Sequence, residues 1–161
     1  MSSAPSGNRP VHLRLPYLGL ALIGGTFGTA AREAITLIFP SADGIPWPIF
    51  AVNILGAFLL GLLLDALARM GPDAGRRRRL RILVGTGFMG GFTTYSALAT
   101  DTASLLGEGD VGAGITYGLG TVLIGGLATW AGIVAATAWK GRAPEVPVRR
   151  TDNDVRGGGG K

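Results

Sequence analysis

The sequence predicts an all-α membrane protein of four spans with a break in the third. Three observations lead there. Only 16% of the 161 residues are charged and 47% are hydrophobic, whereas a soluble domain carries about 25% charged residues. Four apolar stretches each approach the ~20 residues that a bilayer core requires. Inside the third, the segment GFMGGFTTYS (87–96) places glycines, two threonines and a serine where an apolar helix is expected to continue.

The four spans are read as 15–39, 47–68, 80–106 and 111–139. Pro40, Pro46, Pro48, Gly71, Gly75, Gly107 and Gly109 punctuate the connections, as proline and glycine do when they end helices. Residues 1–14 form a polar arm and 140–161 a basic tail, both expected to be disordered. The domain proper is 15–139. The first span has small residues near its end, like a cleavable signal. Arg32 inside it and three further spans favour an uncleaved helix.

Charge sets the orientation. Fourteen of the fifteen Lys and Arg residues lie in the N-terminal arm, in the connection between spans two and three, or in the tail. With four spans these three regions share one side. The other two connections hold Asp43, Glu108 and Asp110 and no basic residue. The positive-inside rule therefore puts both termini in the cytoplasm. Arg76, Arg77, Arg78, Arg79 and Arg81 are accounted for by orientation and anionic headgroups, so a nucleic-acid partner is not expected.

No cysteine is present, and His12 is the single histidine. Disulfides, thiol chemistry and histidine-based metal sites are excluded. No nucleophile–base pair or phosphate loop appears, so an enzyme is not expected. Attention moves to polar groups within the spans, which are costly in hydrocarbon and default to function. Asn53 offers an amide in span two, either to an anion or to a neighbouring helix. Arg32 and Glu33 lie toward the outer part of span one. Asp101 follows the break and shares a helix face with Tyr95 and Leu98. Tyr117, Thr121 and Gly125 form one stripe of span four, a polar track or a small-residue packing face. The glycine-rich segment itself has two readings. It either holds an ion on the carbonyls of a broken helix or lets two helices approach closely.

Three segments carry a resemblance: GGTFGTAAR (24–32), VNILGAFLLG (52–61) and GFMGGFTTYS (87–96). In order, spacing and span layout they resemble the signatures of the CrcB/Fluc family of fluoride channels, over about 15–139. The resemblance implies an antiparallel dimer with two fluoride pores and a structural sodium ion at its centre. Gly90 and Thr93 would supply sodium with backbone carbonyls. Asn53 would be the pore amide and Arg32 the vestibule arginine. Thr94 and Ser96 would place hydroxyls near the pore, and Tyr117 and Thr121 would continue the polar track. Asp101 stands where the family usually has glutamate. Tyr95 and Leu98 stand at two phenylalanine positions whose ring edges face the fluoride path. Leu98 has no ring, Ile49 replaces a threonine and Ala57 replaces a serine.

Uncharged donors suit a channel for a small, strongly hydrated anion, because conduction needs binding weak enough to release. The implied activity is passive fluoride export across the cell membrane. Two alternatives remain beside it: a non-transporting assembly subunit, and a small multidrug-resistance-type cation/proton exporter. For the exporter, Glu33 is the only candidate carboxylate, and Arg32 beside it is a ready partner. A last expectation comes from charge. An antiparallel homodimer needs one sequence inserted both ways, yet an arginine at the bilayer centre costs about 2.5–3.5 kcal/mol on insertion scales. So one-sided a chain is expected to adopt one topology and to pair with an oppositely oriented paralogue. A homodimer formed from a minority of inverted chains is the alternative.

Overall fold

The computed structural model describes residues 14–42 and 44–140, with side chains to residue 138. The expected disorder of 1–13 and 141–161 lies outside these residues, as do His12 and Asp43. The described chain is helical, and its one β-type pairing is an isolated bridge between Ala42 and Ile45. Helix α1 runs Leu15–Ile38 and α2 runs Trp47–Arg69. The third span begins as α3 (Gly75–Leu80), widens into π-type turns over Arg81–Met89, and closes in the short α4 (Gly90–Phe92). It resumes as α5 (Tyr95–Gly107), and α6 (Val111–Lys140) completes the chain.

Helix boundaries follow local chemistry. Pro16 and Pro48 sit in the first turns of α1 and α2, where a missing N–H costs nothing. Asp110 Oδ1 accepts from the Ala113 N–H at 3.0 Å and starts α6. Thr94 Oγ1 accepts from the Ala97 N–H at 3.1 Å and caps α5. Gly71, with φ of 113°, turns the chain out of α2 in a conformation that favours glycine.

Three stretches are long and apolar enough to cross a membrane: Trp47–Arg69, Gly75–Gly107 and Val111–Ala138. Helix α1 has the length, 24 residues, but Arg32, Glu33 and its glycines and threonines dilute its apolar character. The third span begins five residues before the expected start at 80, because the helix takes in most of the arginine cluster. Its backbone leaves helical dihedrals at two residues. Thr93 lies at φ −78°, ψ 154° and Thr94 at φ −147°, ψ 113°, both extended.

Helix α1 packs along the π segment and α4, α2 packs along α6, and α5 also packs on α6. The first contact is a glycine seam. A Cβ at Gly24 would collide with the Leu83 carbonyl, one at Gly28 with the Phe88 carbonyl, and one at Gly91 with the Gly25 carbonyl. The α2–α6 contact uses the same device, with Gly61 against the Thr129 carbonyl and Gly132 against the Phe58 carbonyl. Lipid tails are as apolar as leucine, so close backbone approach replaces the hydrophobic effect as the source of adhesion. Many large apolar side chains stay outward, among them Leu22, Phe27, Leu119, Leu123, Leu127 and Trp130.

Candidate functional site

The site is built around Thr93–Thr94. A helix that stops leaves its last carbonyls without intrahelical donors, and in a membrane each must be satisfied. The Met89 carbonyl accepts from the Thr93 N–H and from Thr93 Oγ1, both at 2.9 Å. The Gly91 carbonyl accepts from Thr29 Oγ1 and Arg32 Nε on α1, each at 3.4 Å. The Thr94 carbonyl accepts from Asn53 Nδ2 at 3.1 Å, while the Thr94 N–H donates to Asn53 Oδ1 at 2.8 Å. One amide side chain on α2 thus replaces both backbone partners that Thr94 loses at the break.

The carbonyls of Gly90 and Thr93, those expected to hold sodium, receive no hydrogen bond from any described residue. Gly90 is exposed, and a Cβ there would meet nothing within 4 Å. Both carbonyls belong to the C-terminal end of a helix, where the backbone dipole is negative. Unspent oxygens at a helix C-terminus suit a hard cation. The glycines of the motif therefore divide: Gly87 and Gly91 pack against α1, whereas Gly90 faces open space. Thr93 is locked sideways, its methyl seated at Gly56 of α2.

The other expected site residues fall into two groups. Asn53 keeps one amide N–H beyond its bond to Thr94. Thr94 Oγ1 and Ser96 Oγ lie 3.2 Å apart, and one hydroxyl proton serves that contact. Since Thr94 Oγ1 also accepts from Ala97, the second proton of the pair remains to donate. Tyr95 is 80% exposed at the mouth of a largely apolar groove of about 660 Å³ between α5 and α6. Donors are thus gathered on the first turn of α5 and at Asn53.

Tyr117 and Thr121 are buried on the inner face of α6, and their protons are committed. Tyr117 Oη donates to Asp101 Oδ2 at 3.3 Å, and Thr121 Oγ1 donates to the Tyr117 carbonyl at 2.6 Å. Their oxygens remain as acceptors. Leu98 is buried with Leu105 and Tyr117 and also borders the Tyr95 groove, so the missing ring is replaced by packed aliphatic surface. Arg32 donates Nη1 to Glu33 at 2.8 Å while its Nε reaches the Gly91 carbonyl. Sequence reasoning placed Arg32 at a vestibule and did not foresee its reach to the break. It also missed Thr29, which lies one turn earlier on the same face of α1. The Thr29–Arg32 spacing of three was the available signal.

These features define a class: a polytopic helical membrane protein whose third membrane-length stretch is interrupted at Thr93–Thr94, with amide, hydroxyl and guanidinium donors beside the interruption. Residues 19–133 match the family described as "CrcB-like protein, Camphor Resistance (CrcB)", and the chain belongs to that family. It is 47% identical over 129 residues to the fluoride-specific ion channel FluC 2 of Leifsonia xyli, covering 80% of this chain and 89% of that one. It is 44% identical over 131 residues to the fluoride-specific ion channel FluC 1 of Cutibacterium acnes, covering 80% and 92%. The FluC 1 of Streptomyces coelicolor is 36% identical over 122 residues, covering 75% and 77%.

Proposed function

We propose that this chain is a fluoride-selective channel of the cell membrane that lets fluoride leave the cytoplasm passively. The observation that carries the reading is the donor set beside the break. The free N–H of Asn53, the Thr94–Ser96 hydroxyl pair and Tyr95 are all uncharged. Such groups replace the water of a small anion without trapping it. The names of its relatives, fluoride-specific ion channels, support the substrate.

In this reading the carbonyls of Gly90 and Thr93 hold a structural sodium ion. One chain offers two oxygens, too few for a closed shell, so a second chain completes the site. The dimer is antiparallel, both termini are cytoplasmic, and the charge asymmetry favours an oppositely oriented paralogue as partner. Tyr117, Thr121 and Asp101 support the path as acceptors and packing, and Arg32 joins the vestibule to the break.

Efflux from liposomes loaded with fluoride or chloride tests the proposal. A detergent micelle has no sidedness, so purified chains are free to pair antiparallel before reconstitution. Rapid fluoride loss with chloride retained is the expected result. No anion efflux returns the chain to a non-transporting subunit, and proton-coupled cation exchange returns it to the exporter class.

A further inference from the structure

The connection between α2 and α3 concentrates Arg69, Arg76, Arg77, Arg78, Arg79 and Arg81, and the structure divides them. Arg69 pairs with Asp65 one turn back on α2, at 2.5 Å. Arg77 donates to the Met70 carbonyl and lies over Gly71 at the turn. Arg78 and Arg81 share one carboxylate, reaching Asp73 Oδ2 at 3.2 and 2.6 Å. These contacts tie the loop to the helix that follows. Arg76 and Arg79 make no hydrogen bond or ion pair with any described residue, and both are exposed.

We propose that Arg76 and Arg79 form a binding site for the phosphate of an anionic phospholipid headgroup. Three positions apart, they share one face of the helix with Cβ atoms about 5–6 Å apart. That separation lets two guanidinium forks converge on one phosphate, the geometry arginine favours. They stand in the opening turns of the stretch Gly75–Gly107, which is long and apolar enough to cross the membrane. The pair therefore lies at headgroup level rather than in bulk water. Orientation alone needs an excess of positive charge on one side but no division of labour among the arginines. Here Asp73, Asp65 and the Met70 carbonyl absorb four arginines and leave these two. A lipid is favoured over free phosphate because its acyl chains hold the headgroup at this depth.

Native mass spectrometry of the full chain, in detergent with equal phosphatidylglycerol and phosphatidylcholine, tests the site. The wild-type chain is expected to retain phosphatidylglycerol in preference by about tenfold, since basic residues at a membrane surface attract anionic lipid. Arg76→Gln with Arg79→Gln should bring the ratio close to one. Arg78→Gln, which leaves Arg81 to hold Asp73, should keep it. If the double variant does not fold, the single Arg76→Gln and Arg79→Gln chains should each lower the ratio by roughly threefold. Equal retention of the two lipids by the wild type, or an unchanged preference in the variants, would overturn the proposal. Inorganic phosphate at the lipid's concentration should leave the bound lipid in place. Displacement by phosphate would show a free-anion site and overturn the lipid assignment. The result is independent of fluoride conduction.

Discussion

Asn53 and Thr94, 41 residues apart in sequence, exchange two hydrogen bonds, Thr94 N–H to Asn53 Oδ1 at 2.8 Å and Asn53 Nδ2 to the Thr94 carbonyl at 3.1 Å. The side chain acts as a backbone segment for the residue that has none. It sets where α5 begins, and so where Tyr95 and Ser96 stand. The same amide keeps one N–H free, so in the proposed pore structure and anion recognition would draw on one group.

Asn53→Asp separates the two roles only partly. It keeps an acceptor for the Thr94 N–H but sets carboxylate oxygen against the Thr94 carbonyl and places negative charge in the proposed anion path. A lost buried partner costs about 1–3 kcal/mol, which, if felt fully in the barrier, is roughly five- to 150-fold in rate. Fluoride efflux from liposomes should fall by at least about fivefold. Wild-type efflux in this variant would sink the pore assignment of Asn53.

Gly56 and Thr93 are expected to be energetically coupled. A Cβ at Gly56 would collide with the Thr93 methyl, so Gly56→Ala should destabilise the protein. Thr93→Ser removes that methyl, keeps the hydroxyl that donates to the Met89 carbonyl, and should be mild alone. In the double variant the serine makes room for the alanine, with a coupling of about 0.5–3 kcal/mol in thermal unfolding. Simple additivity would show that the contact carries no energy.

The motif glycines should respond differently to an added side chain. At Gly28 a Cβ strikes the Phe88 carbonyl, and backbone cannot yield as a flexible side chain can. Gly28→Ala should therefore cost about 1–3 kcal/mol, the range for overpacking. At Gly90 a Cβ meets nothing within the protomer, so Gly90→Ala should leave monomer stability nearly unchanged. Gly90→Val should instead weaken the proposed dimer, read by cross-linking in sodium and in a sodium-free buffer. Full, sodium-independent assembly of Gly90→Val would refute a shared ion at this carbonyl.

Topology in the cell tests the charge argument. Reporter fusions at the C-terminus should give a cytoplasmic signal and almost no external one, because the basic residues cluster on one side. Comparable signals from both sides would establish dual insertion and remove the reason for an oppositely oriented paralogue.

Thr94→Ala tests the cap itself. It removes the acceptor for the Ala97 N–H and the contact with Ser96, and should cost about 1 kcal/mol. Exchange at the Ala97 amide should rise in that variant while amides in α2 keep their protection.

Helix number, connections and the place where the third stretch leaves helical dihedrals were legible in the sequence, because each depends on properties carried by neighbouring residues. Apolar length decides what crosses a bilayer. Proline and glycine runs decide where helices stop. GFMGGFTTYS disturbs a helix whatever surrounds it. Partners were not legible. Local spacing put Asp101 on a face with Tyr95 and Leu98, but only the packing of α5 on α6 brought Tyr117 Oη to its carboxylate. Within the glycine motif, tertiary contact with α1 put Gly91 into the packing seam and left Gly90 open. A hydrogen bond or a close backbone approach depends on which helix lies opposite and at what height. That is set by the fit of whole helices against one another, and no single stretch of sequence contains it.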